Sequence, residues 1–277
     1  MSADHLDPVA ILTGLGYDNP RSVEPVGGGR DTTIWRVEHG GTAYALRVFR
    51  PEQAPVVPRE VAAMRAAAAG GVPVPEVHAV DASQRHPAML LSWREDRTVV
   101  AELASRPERA WELGVLSGEL LARINAVTAP EKARSWREGP GAVEPPLSTR
   151  LDTLARGDAL LHLDFHPLNL LTDGQRITAV LDWTNARAGD PRADLARSIS
   201  ILRLDTGELS PHEQSLARQY ERGLRRGYGP VSEFAPYLAW AGAFMLNDIR
   251  RRSDATADQR RRIEAWVARW QRRAGAC

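Results

Sequence analysis

HLDFHPLNLLTDGQRITAVLDW, residues 162–183, carries two short apolar runs on either side of an Asp-Gly pair. Leu170, Leu171 and Thr172 lead into Asp173-Gly174, and the run from Ile177 to Leu181 returns, the pattern of a β-hairpin. With Asp173-Gly174 as a two-residue turn, Thr172 pairs with Gln175, and counting outward sets Asp182 opposite Phe165, the neighbour of Asp164. Asp164, Asn169 and Asp182 then share one end of the hairpin, two carboxylates and an amide. A hard cation such as Mg2+ takes one or two protein oxygens of this kind and fills its shell with water and substrate phosphates. A carboxylate beside it can receive the proton of a hydroxyl. Phosphoryl transfer asks mainly for positioning and charge neutralisation, so this set suffices for it.

Spacing sharpens the reading. A protein-kinase catalytic loop runs H-R-D-x-x-x-x-N and is followed by D-F-G. His162-Leu163-Asp164 with Asn169 keeps that interval, and Asp182-Trp183 stands in the metal-binding place. HLDFHPLN, LDW and GDPRADLA follow one another within about 35 residues, and together they resemble the aminoglycoside phosphotransferase and choline kinase family of small-molecule kinases. In outline the resemblance spans the chain, with these three motifs as its specific part. It implies an α+β, bilobal protein-kinase-like fold: a small antiparallel-sheet N-lobe with one main helix, residues 1–93, and a larger, mainly helical C-lobe, residues 94–277. It also implies roles. Asp164 is the catalytic base, Asn169 and Asp182 are the magnesium ligands, and His162 holds the catalytic loop by hydrogen bonds. Leu163 departs from the family's usual glycine, so a side chain must be accommodated there.

The N-lobe is then expected to bind ATP or GTP. Gly27, Gly28 and Gly29 precede an alternating run, where a glycine-rich loop lets backbone N–H groups approach phosphate oxygens. A strand lysine normally meets the α- and β-phosphates and pairs with a helix glutamate. Arg47 of YALRVF occupies that place, and Glu60 on the following helix is its natural partner. The chain's single lysine, Lys132, lies in a surface-like segment, so an arginine must serve; it remains charged and can grip phosphate or carboxylate bidentately. Leu91 and Trp93 sit where hinge backbone contacts to a nucleotide base are expected, with the hinge near 92–94. The same lysine count excludes a Walker A loop.

Around this centre, WRVEHGGTAYALRVF reads as a hairpin turning at Gly40-Gly41, and PREVAAMRAAAA as a helix from Pro58 to Gly70. Two S/T-x-x-E pairs, Ser105 with Glu108 and Ser210 with Glu213, predict capping boxes. The first opens a core helix bearing Leu113, Leu116, Leu120, Ile124 and Val127. The second opens a helix ending near Gly227. Further helices are expected over 234–249 and 258–273, and 128–149, rich in Pro, Gly and charge, reads as a surface connection.

Several residues have a structural reading beside the functional one. Asp190 before Pro191 fits a helix N-cap as well as a functional acid. Asp194 reads as a first-turn acid that bonds the catalytic loop, and both are taken as structural support of the site. His166 beside Pro167 reads as loop packing, and Trp240, Phe244 and Met245, at helical spacing, as core.

Net charge of +1 gives no electrostatic case for nucleic acid or a membrane surface as partner. The only cysteine is Cys277, which fits a reducing cytoplasm, and no apolar run approaches the ~20 residues of a membrane span. The expected partners are a nucleoside triphosphate and a small hydroxylated acceptor: antibiotic, amino alcohol or sugar-like. Residues 201–277 hold 14 arginines against 9 acids, which weighs against a polycationic acceptor. A catalytically silent, kinase-shaped nucleotide-binding protein is the alternative, and a protein kinase is disfavoured because GDPRADLA follows Asp182 with no A-P-E activation segment between.

Overall fold

The computed structural model describes residues 6–27, 32–83, 85–205, 209–249 and 256–275. Contacts divide the chain into two compact units, Met1–Met64 with Val74–Glu95, and Arg65–Pro73 with Asp96–Cys277.

In the first unit, α1 (Pro8–Gly14) starts where Asp7 accepts the N–H groups of Val9 and Ala10 and Pro8 takes the first helical position. Five antiparallel strands follow: β1 (Ser22–Val26), β2 (Thr32–His39), β3 (Thr42–Phe49), β4 (Val77–Asp81) and β5 (Ala88–Ser92), in spatial order β1-β2-β3-β5-β4. The β2–β3 hairpin turns at Gly40-Gly41 as expected, because both residues hold positive φ, 58° and 80°, which the tight turn requires. Trp35 and Val37 of β2, Leu46 and Val48 of β3 and Ala88 and Leu90 of β5 alternate onto one face and pack on Leu12. Helix α2 (Val57–Ala69) begins here, one residue before the expected start.

In the second unit, β6 (Arg97–Thr98) leads into α3 (Val99–Ser105), a helix for which the sequence carried no expectation. The capping box expected at Ser105 and Glu108 does not form. Thr98 caps first, accepting from Ala101 N, so 99–105 wind into their own helix and the Ser105 hydroxyl turns back to the carbonyls of Ala101 and Glu102. Helix α4 (Ala110–Asn125) starts after a single 3-10 turn and ends before Val127, which lies outside it. The connection over 128–149 is not all surface: Trp136 is buried, stacks on Tyr237 at 5.8 Å, and α5 (Leu147–Leu154) begins inside it.

Helix α6 (Pro191–Leu204) runs through the core with Ala193 to Ile201 all buried. The box at Ser210 and Glu213 opens α7 (Pro211–Tyr228) as expected. Helix α7 lies backbone to backbone on α4, because Gly114 and Gly118 face Gly223 and Gly227. A Cβ at Gly118 would lie 2.1 Å from Leu224 O, and one at Gly227 2.0 Å from Val115 O. Helices α8 (Ala235–Ile249) and α9 (Ala257–Ala274) close a small core of Leu204, Met245, Ile249 and Ile263, and Trp240, Phe244 and Met245 are buried. Among the described residues no helix is long and apolar enough to cross a membrane.

Candidate active site

β7 (Ala159–Leu161), paired with β10 (Arg187–Gly189), delivers the chain into the 162–166 loop. A 3-10 turn over Pro167–Asn169 then enters β8 (Leu170–Thr172), and β9 (Ile177–Val180) returns from it. The hairpin exists, but its register differs from the expectation. Asp173 accepts from the N–H groups of Gln175 and Arg176, while the Thr172 hydroxyl accepts from Gly174 N and donates to Arg176 O. These local bonds hold a four-residue loop, so Thr172 pairs with Ile177, not Gln175, and Leu170 with Val180. Leu181 N donates to Asn169 O at 2.8 Å. Asp182 therefore follows Asn169's own backbone partner and does not stand opposite Phe165.

Asp164 and Asn169 meet directly. The Asn169 amide nitrogen donates to Asp164 O at 2.9 Å and reaches its carboxylate at 3.3 Å. That leaves the carbonyl oxygen of Asn169 with no donor among the described residues, a hard ligand on the far side of the amide. Asp182 holds φ 57°, a left-handed conformation that aspartate tolerates better than most residues, with Thr184 N at 3.5 Å from its carboxylate. Amide oxygen and carboxylate suit magnesium in their donor chemistry. Among the described residues, no group of three His, Cys, Asp or Glu side chains could hold a metal by itself.

One imidazole ties the two sides. His162 is fully buried, and burial, opposed by Asp194, Asp164 and Asp182, pushes its pKa below the ordinary value, so the ring is neutral. Its Nδ1 accepts from Asp164 N at 3.2 Å, which leaves the proton on Nε2 to be donated to Leu181 O at 3.0 Å. Trp183 packs beside the ring at 4.7 Å.

At Asp164 burial works to raise the pKa, but His166 beside it, with Arg197 behind, outweighs burial and lowers the carboxyl to about 2. His166 thus does more than pack: its Nε2 lies 3.7 Å from the Asp164 carboxylate. Arg197, a buried guanidinium stacked on Phe244 at 4.7 Å, had no distinguishing signal in the sequence.

Leu163 explains the glycine of the resemblance. Its φ is 58°, where a side chain costs about 1–2 kcal/mol and glycine nothing comparable. The leucine side chain is accommodated by complete burial, and its N–H donates to the Asp194 carboxylate at 2.8 Å. Asp194 also accepts from His162 N and from the Asn125 amide, both at 2.8 Å. Burial raises its pKa, against these bonds. Asp190 caps α6 through Arg192 N and further accepts from Arg156 N, the Arg192 side chain and the Tyr237 hydroxyl.

In the first unit, Arg47 and Glu60 form a buried ion pair at 2.6 Å, with Thr32 and the Phe49 ring also on the guanidinium. Leu91 is buried in β5, and Trp93 keeps its N–H on Ala43 O at 3.2 Å. Gly27 is exposed; Gly28 and Gly29 lie outside the described residues. Asn125 and Tyr228 were not anticipated as part of the site: their bonds bridge 69 and 103 residues, distances at which no sequence period survives.

A family model described as the phosphotransferase enzyme family matches residues 22–156 and 145–234. No curated protein matches the chain in sequence. Among solved structures, the aminoglycoside phosphotransferase APH(4)-Ia superposes with a TM-score of 0.67 at 18% identity, over 97% of this chain and 98% of that one. A thermostable mutant of it was solved with ADP and hygromycin B (0.66, 17%, 97% and 98%). Spectinomycin phosphotransferase APH(9)-Ia, solved with ADP and spectinomycin, gives 0.58 at 14% over 94% and 92%. Plasmodium vivax ethanolamine kinase gives 0.57 at 10% over 90% and 82%. These likenesses show the fold, α+β with protein-kinase-like architecture.

Proposed function

We propose, because the chain belongs to the phosphotransferase enzyme family, that it moves the γ-phosphoryl group of ATP or GTP onto a hydroxyl of a small molecule, an antibiotic, amino alcohol or sugar-like acceptor. The observation that carries this reading is the Asn169 amide clamped on Asp164, with Asp182 following Asn169's backbone partner.

Asp164 acts as the base. With its pKa near 2 it is ionised at neutral pH and weakly basic, so its first task is to accept the acceptor's hydroxyl as a hydrogen bond and aim the oxygen at phosphorus. The proton passes to the carboxylate late, as the new O–P bond forms and the hydroxyl acidifies. Asn169 and His162 hold the carboxylate's loop for that alignment. The Asn169 carbonyl oxygen and the Asp182 carboxylate would hold Mg2+, which when bound neutralises phosphate charge. In residues 1–93, Arg47, oriented by Glu60, supplies phosphate contacts, and Gly27, Gly28, Gly29, Leu91 and Trp93 the remaining nucleotide contacts. Leu163, the departure from the family's usual glycine, leaves the loop formed and bonded, so transfer is the favoured reading.

A panel of hydroxylated acceptors, including hygromycin B, spectinomycin and ethanolamine, is read by nucleotide consumption. Asp164→Ala should abolish transfer and retain nucleotide binding; a fully active variant would remove the base assignment. Nucleotide binding with no transfer to any acceptor would favour the silent alternative.

A further inference from the structure

Asp194, which fastens the catalytic loop, is itself oriented by two residues from other helices. Asn125, the last residue of α4, spends both amide hydrogens inside the core, one on Leu160 O at 3.0 Å and one on Asp194 Oδ2 at 2.8 Å. Its carbonyl oxygen accepts from the hydroxyl of Tyr228, the last residue of α7, at 3.0 Å. That hydroxyl has one hydrogen and one other acceptor in reach, Pro191 O at the longer 3.3 Å. Turning the Asn125 amide over would set its oxygen against a carboxylate and a carbonyl, three acceptors with no proton among them. Donation from Tyr228 favours the working face. Burial, with Asp194 and Asp190 nearby, raises the phenol's pKa, so it keeps that proton.

We infer that Tyr228 and Asn125 are positioning residues for phosphoryl transfer, a relay from the ends of α7 and α4 through Asp194 to the backbone of His162 and Leu163. The inference rests on the reading of Asp164 as base. The relay matters because Asp194 grips the two N–H groups immediately before Asp164, one of them on the left-handed residue Leu163. Without the relay Asp194 keeps its place in α6 and its bonds to His162 N and Leu163 N but loses the third donor, the Asn125 amide, that orients it from the other side, and the loop that presents Asp164 loosens.

The same pair of helices supplies a control. Tyr220, about two turns earlier on α7, donates to the Ser117 hydroxyl at 2.7 Å and is fully buried, and among the described residues it has no hydrogen bond to a residue bonded to Asp194. Tyr228→Phe and Tyr220→Phe each delete one phenol hydroxyl from the α4–α7 seam, and only the first cuts the relay.

Both variants are compared with wild type in Mg-ATP turnover, using an acceptor from the panel or water, and in hydrogen–deuterium exchange of the peptide covering 160–165 without ligand. Tyr228→Phe should lower kcat about tenfold with KM for Mg-ATP unchanged, the mark of misalignment without lost binding, and speed exchange at 162 and 163. Tyr220→Phe should lower Tm while leaving kcat and that exchange as in wild type. Wild-type kcat and exchange in Tyr228→Phe would overturn the inference, as would equal kcat losses in both variants tracking their Tm. Should Asp164→Ala prove fully active, the base assignment fails, and the exchange at 162–163 still decides whether the relay holds the loop.

Discussion

Replacing Leu163 tests the loop's strain, because glycine and alanine should there reverse their usual order. Truncating a fully buried leucine to alanine costs about 3–5 kcal/mol, and Leu163 is 1% exposed. Alanine keeps its Cβ at φ 58° and so keeps the left-handed penalty of about 1–2 kcal/mol. Glycine loses one further methyl and adds unfolded-state entropy, together about 1 kcal/mol, but escapes that penalty. The two effects on glycine nearly cancel or favour it. At an ordinary position Leu→Gly would be the worse variant by about 1 kcal/mol; here Leu163→Gly should match Leu163→Ala or exceed it by up to about 1 kcal/mol, both lying about 2 kcal/mol or more below wild type. Urea unfolding followed by tryptophan fluorescence, with m held equal across the three proteins, measures the difference. If alanine is the more stable by about 1 kcal/mol, Leu163 is not left-handed, and the account of why the resemblance has glycine there falls.

Gly118→Ala should destabilise by at least about 2 kcal/mol, since its Cβ would meet the backbone at Leu224 O and Tyr228 N, which cannot retreat as a side chain would; a Tm within a degree of wild type would show that the helices can part. Glu60→Gln strips the acid from a pair whose side chains are 10% and 1% exposed, and should cost about 3 kcal/mol in a urea midpoint while weakening nucleotide affinity; an unchanged midpoint would mean the pair is not buried. The Asp190 carboxyl is opposed by burial but held below its ordinary pKa by Arg192, Arg156 N and Tyr237. A depressed acid stabilises above its unfolded pKa and ceases to as pH falls through the folded one, so Asp190→Asn should lower stability at pH 7 and flatten the loss of stability below about pH 4; an acid-unfolding curve parallel to wild type would contradict this.

What could be read in advance followed from local chemistry. Gly40-Gly41 announced a turn because few residues other than glycine adopt two consecutive positive φ angles, and Ser210 with Glu213 announced a helix because each satisfies the other's backbone N–H at its start. Ser105 and Glu108 satisfied the same pattern but lost to Thr98, seven residues earlier. The hairpin of 162–183 was legible and its register was not: Thr172 and Asp173 spend their side chains on the loop, which adds two residues to the turn and moves Asp182 relative to everything upstream. Trp136 was hidden among prolines and charges, and the relay through Asn125 and Tyr228 arises only once three helices have packed.

His162 makes its bonds to two segments of the chain, the amide of Asp164 and, 19 residues beyond the histidine itself, the carbonyl of Leu181 that precedes Asp182. Displacement of either segment is thereby passed to the other through a rigid five-membered ring. On the proposed assignment of Asp164 and Asp182, a pull on one carboxylate is felt by the other, so affinity on one flank and reactivity on the other are expected to change together.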